Sequence, residues 1–294
     1  MKRKPNLFVA ALALMAAGAA NAALTPSTPN PGNGSVMFVA ADTVPNPTDG
    51  NYNIALTIDL GNLFADYVGG SLAFSNGSLT APGTTVVWNF ANNTRTTNGT
   101  ADAGTFSWSS AYNSFKSIVA GIAGDSMLWG VISADNNGTG APSATNAVSN
   151  KNLLLTPTAD LSGNGITSAN ISNGASNTDN FLLQSNGLGT QTAGVTGANT
   201  ATAGGAFLGA SMKESFGGQL QGGSYLNAAG TSSTLTWLHQ QAGAQGIYTL
   251  GQFTFDGAAD TLTYIVPVPE PGSVSMALAG LAALGFVGRR RQRG

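Results

Sequence analysis

The chain has 294 residues with 40 glycines, only 8% charged side chains, no cysteine and a formal net charge of −2. So sparse a charge leaves no basic surface to neutralise phosphates, which argues against nucleic acid as a partner. Without cysteine, and with His239 as its one histidine, the chain has no disulfide bracing and no usual zinc ligand set; we expect no metal and no cofactor.

The first element is an export signal. Lys2-Arg3-Lys4 precede an apolar run from Leu7 to Ala20, and Ala20-Asn21-Ala22 supplies the small-residue pattern that signal peptidase cuts. Residues 1–22 are therefore expected to be removed, leaving Ala23 as the first residue. Thr25 to Ser35 holds three prolines and reads as the end of a flexible spacer, 23–35. From Ala23 to Pro267 there are four basic against twelve acidic side chains, a net charge of −8, so the basic residues at the two ends belong to the signals.

The body, 36–267, reads as mainly β. Val36 to Ala40 is a short apolar strand. In Tyr52 to Leu60, apolar residues alternate with Asn53, Ala55, Thr57 and Asp59, the period of a strand with one buried and one wet face. A short helix fits Leu60–Val68. Further strands are expected at Ser71, Thr84, Thr105 and Met127, divided by turns rich in Gly, Asn and Ser. From Asn136 to Thr202 large apolar residues thin out, which predicts long loops around weaker strands at Asn152–Thr156 and Asn180–Gln184. Ala206–Leu220 fits a helix. Three close strands follow in "TLTWLH", "GIYTLGQFTFD" and "TLTYIVP", with a turn begun by Asp256-Gly257 between the last two. Short strands with little helix predict an antiparallel sandwich or jelly-roll-like ectodomain with long Gly/Asn/Ser/Thr-rich loops.

Candidate sites within the body are few. Gly124-Asp125-Ser126-Met127 resembles the nucleophile block of GDSL-type esterases, a mechanism that needs a histidine base held by a carboxylate. His239 is the one available base, yet Thr236 stands where that family has its aspartate, so coincidence is the better reading. Asp135-Asn136-Asn137-Gly138-Thr139-Gly140 has the oxygen spacing of a calcium loop, but Asn146 replaces the bidentate glutamate, and a polar turn is expected. Trp88, Trp108, Trp129 and Trp237 suit core packing; on an exposed face they would stack on sugar rings.

The closing stretch is the most informative. Pro269 and Pro271 forbid a continuous helix and hold Glu270 on an extended strip. Gly272–Gly288 is an uncharged run of 17 residues, ended by Arg289, Arg290, Arg291 and Arg293. As a helix it would reach about 26 Å, slightly short of a hydrocarbon core of about 30 Å. A basic flank stays cytoplasmic, so the body would lie outside, held by a weak membrane anchor.

Val268-Pro269-Glu270-Pro271, the apolar run and the arginine cluster together resemble the C-terminal signal of PEP-CTERM proteins, the substrates of the membrane-embedded sorting enzyme exosortase in Gram-negative bacteria that make exopolysaccharide. The resemblance covers 268–294. It implies that Pro269, Glu270 and Pro271 are the recognition motif (within 268–271), with cleavage near them, and that the arginines of 289–293 are the stop signal. A permanent tail anchor is the alternative. Expected partners are signal peptidase, an exosortase-like enzyme, the inner membrane in passing, and exopolysaccharide at the destination. The expected function is that of a non-enzymatic, structural or adhesive protein of the cell surface or biofilm matrix, with a carbohydrate-binding module second and a secreted hydrolase third.

Overall fold

The computed structural model describes residues 34–42, 55–68, 77–121, 123–138, 150–158, 161, 166–167, 170–178, 196–201, 226–241 and 244–268. The signal segment, the tail beyond Val268, and the expected elements at Ser71, Asn180–Gln184 and Ala206–Leu220 lie outside them.

The elements are β1 (Ser35–Asp42), β2 (Ala55–Leu63), α1 (Phe64–Tyr67), β3 (Thr85–Asn89), β4 (Thr94–Thr97), β5 (Thr100–Ala101), β6 (Phe106–Ser107), α2 (Ser109–Gly121), β7 (Met127–Gly138), β8 (Asn150–Leu155), α3 (170–178), β9 (Thr196–Ala201), β10 (Asn227–Ala228), β11 (Ser232–Gln241), β12 (Ala244–Asp256) and β13 (Thr261–Ile265). The strands pair in the order β5-β4-β3-β13-β12-β11-β8-β7-β1-β2-β9-β6, with β10 beside β7. Pairing is antiparallel throughout except between β6 and β9.

This path is not flat. Three strands separate β12 from β1, which in a flat sheet puts them about 19 Å apart. Yet the rings of Phe38 on β1 and Phe255 on β12 are 5.0 Å apart, and Phe38 lies 4.8 Å from Phe90 just beyond β3. The sheet therefore curls so that its two arms face each other across one aromatic core. Polar ties hold the arms together. The indole N–H groups of Trp88 and Trp108 donate to the carbonyls of Leu60 (2.9 Å) and Asp59 (3.0 Å) on β2. Arg95 of β4 donates to the carbonyls of Leu60 and Gly61, both at 3.2 Å.

The apolar run of β1 has a physical reason. Val36, Phe38 and Ala40 enter the aromatic core, whereas Met37, Val39 and Ala41 enter a second core on the opposite face. That second core contains Ile132, Leu153 and Leu238 from neighbouring strands and Ile171 and Ala175 from α3. A strand covered on both sides can be apolar at every position. The same cover corrects the expectation for β2: Ala55, Thr57 and Asp59, assigned to a wet face, are buried.

Three other expectations need correction. The strand at Thr105 is only the two residues of β6, after which α2 begins. Its Tyr112, Phe115 and Val119 are buried at a helical spacing, and its start is held by Asn93, whose Oδ1 accepts from the amides of Trp108 (2.6 Å) and Ser109 (2.8 Å). The expected polar turn at Asp135 is instead the end of β7. Within the expected loop after Gly187, Thr196–Ala201 pairs with β2 as β9.

Candidate functional site

The body hands the chain to its C-terminal segment at a defined place. β13 is paired on both sides, with β12 and with β3. Beyond its end Val266 still exchanges backbone hydrogen bonds with the loop before β3: its N–H donates to Thr84 O (2.9 Å) and its carbonyl accepts from Gly83 (2.9 Å). Val268 is then 66% exposed. The fold's grip thus ends three residues before Pro269. Gly83 makes this last turn with φ +84°, a backbone that side-chain-bearing residues avoid.

A second polar constellation lies inside the body. Asp135, Asn152 and His239 stand opposite one another on β7, β8 and β11 and are buried. Asn152 Nδ2 donates to Asp135 Oδ2 (3.1 Å), which fixes the amide so that Asn152 Oδ1 faces His239 Nδ1 at 2.6 Å and Trp237 Nε1 at 3.1 Å. That oxygen can only accept, so His239 Nδ1 carries a proton. Burial pushes its pKa down, which favours the neutral ring. His239 Nε2 has no hydrogen-bond partner among the described residues. The row fixes strand register, because a one-residue slip would turn all three polar groups to the other face.

Arg95 forms a third centre. Besides its bonds to β2 it is paired with Asp102 at 2.5 Å and donates to Asn62 Oδ1 at 3.3 Å. Beneath it Asp59 accepts from Gly61 N at 2.8 Å. Burial pushes the Asp59 carboxyl up to about 7, with the Gly61 bond and Arg95 opposing the rise.

Of the candidate residues, Ser126 and His239 are not brought together. His239 aligns through Asn152 with Asp135, and Ser126 lies nine positions further along that strand direction, about 30 Å away. All four tryptophans are buried, Trp237 at 3% exposure and the other three at 0%, so no exposed tryptophan row exists. Trp108 precedes α2 and is not in a strand. Among the described residues no group of three or more His, Asp or Glu side chains could hold a metal ion. Ala20, Ala22, Ala23, Pro269, Glu270, Pro271, Arg289, Arg290, Arg291 and Arg293 lie outside the described residues. No described helix is long and apolar enough to cross a membrane; the expected span 272–288 is likewise outside them. Sequence reasoning did not single out Arg95 or Asn152, although a lone arginine in an acidic, charge-poor body was a usable signal.

Residues 267–291 match the PEP-CTERM protein-sorting motif, so the chain carries the signal of an exported protein processed at the membrane by exosortase. The match begins two residues after β13 ends. No curated protein and no solved structure matches the chain.

Proposed function

We propose that this is a non-enzymatic structural protein of the cell surface or extracellular matrix, delivered there by its two terminal signals. Signal peptidase removes residues 1–22, the run 272–288 holds the precursor in the inner membrane, and an exosortase-like enzyme cuts near Pro269-Glu270-Pro271. The observation that carries this reading is the junction: a doubly paired strand gives way within three residues to the matched sorting segment. The body is then cargo, and its curled sheet with facing arms is read as a sandwich-like domain braced by aromatic packing where disulfides are missing. A hydrolase reading loses support from the wide separation of Ser126 and His239. A sugar platform built on tryptophan loses support from the burial of all four. The test replaces Pro269, Glu270 and Pro271 by alanine in the native host. The variant should stay in the membrane fraction while the wild-type body leaves it; equal release of both would overturn the proposal.

A further inference from the structure

Tyr248 is an exposed aromatic side chain that the fold holds in one position. It stands opposite Trp237 in the β11–β12 pair and stacks on it, with ring centroids 4.7 Å apart and planes 28° from parallel. Trp237 is buried, so it backs one face of the tyrosine, yet Tyr248 remains 44% exposed. The tyrosine ring also lies back over Gly246: a Cβ on that glycine would meet the ring, with the tyrosine hydroxyl at 2.8 Å. A larger residue at 246 would therefore push the ring off the strand. An ordinary surface tyrosine turns freely, and a ligand must immobilise it at a cost. Tyr248 is ordered beforehand and keeps a flat aromatic face open to solvent.

The surroundings narrow what that face can hold. Gly246 is paired with His239, so the tyrosine ring fills the place across from the imidazole, where facing Cβ positions are about 5 Å apart. His239 Nδ1 is committed to Asn152, and Nε2 is buried with no partner among the described residues. In the neutral ring that burial favours, Nε2 is an acceptor that lacks a donor. Ser232 to Phe255 contains no Asp, Glu, Lys or Arg. Lys151 on the next strand turns to the opposite face, where its Nζ donates to Ser176 Oγ at 3.2 Å. Asp135 is buried and tied to Asn152. From Ala23 to Pro267 the net charge is −8, which repels an anionic polymer. The matching ligand is uncharged, lays a face of C–H groups on the negative face of the aromatic ring, and brings hydroxyl donors. A sugar ring has all three properties.

We propose that Tyr248, backed by Trp237 and seated over Gly246, is a stacking platform for a neutral sugar ring, through which the body holds an uncharged polysaccharide. This deepens the matrix reading and rests on it for where the polymer is met, whereas the contact itself is tested apart from sorting. The full-length chain, in a sugar-free zwitterionic detergent, is run in native gels containing dextran, mannan or galactan, with alginate as the anionic control. At least one neutral polymer should retard the wild-type chain. Tyr248→Ala should weaken that binding about tenfold. Tyr248→Phe should keep most of it, and Gly246→Ala should weaken it although the tyrosine is still present. Urea midpoints close to wild type for the two Tyr248 variants would show that the fold is intact. Equal retardation of wild type and Tyr248→Ala, retardation by alginate alone, or no retardation by any neutral polymer overturns this proposal and leaves the sorting reading intact.

Discussion

Asp59 carries the clearest pH signature in the body. Its ordinary pKa is about 4, and burial raises it to about 7 in the folded state. The folded chain therefore holds this proton more tightly than the unfolded chain. Its contribution to stability is complete below about pH 4 and is lost as pH rises through about 7. Asp59→Asn keeps an oxygen for the Gly61 amide and removes that loss. Urea midpoints at pH 5 and pH 8 should lie closer together in the variant, which should gain on the order of a few kcal/mol at pH 8. An unchanged difference between the two midpoints would show that Asp59 does not titrate with folding. Arg95 is the residue whose loss should hurt most for its size. Arg95→Met keeps apolar bulk but leaves the Leu60 and Gly61 carbonyls and Asp102 without their donor. We expect a loss of about 2–4 kcal/mol in urea unfolding.

At the scale of elements, Asn93 joins the β-rich frame to the one long helix among the described residues. It has φ +54° and its side chain closes the start of α2. Asn93→Gly removes the cap yet accepts that backbone, so it should cost about 1 kcal/mol, and Asn93→Ala should cost more because it adds left-handed strain. Thermal unfolding of the two variants would order them; equal losses would mean that the cap alone matters. The elements also show what the sequence disclosed. β1, β3, β7, β8 and β11–β13 were legible because runs such as "SVMFVAAD" and "TLTYI" combine β-branched or aromatic residues with clear turn signals at their ends. α2 was hidden because Ser109, Ser110, Asn113 and Ser114 are poor helix formers. The spacing of Tyr112, Phe115 and Val119 was visible there all the same. β9 was not legible, since Thr196–Ala201 has no large apolar residue and becomes a strand by pairing with β2 and β6. The wet face expected for β2 failed for a related reason, because burial on both sides depends on partners distant in sequence.

For the whole molecule, stability without disulfides depends on the aromatic core that joins the arms of the curled sheet. Phe38 touches rings from both arms, so Phe38→Ala should cost about 3–5 kcal/mol and broaden unfolding. The Asp135–Asn152–His239 row and the Arg95 centre were not legible beforehand, since each forms between strands that the sequence places far apart. The sorting segment was, because its proline bracket, uncharged run and arginines are contiguous.

On the proposed reading, the closing segment is cut from an exported body. The most direct measurement is the intact mass of the protein isolated from its native host. The expected species lacks residues 1–22 and everything beyond the neighbourhood of Pro269-Glu270-Pro271, with any attached group visible as added mass. A native species that still carries Arg289–Arg293 would contradict it and make the tail a permanent anchor.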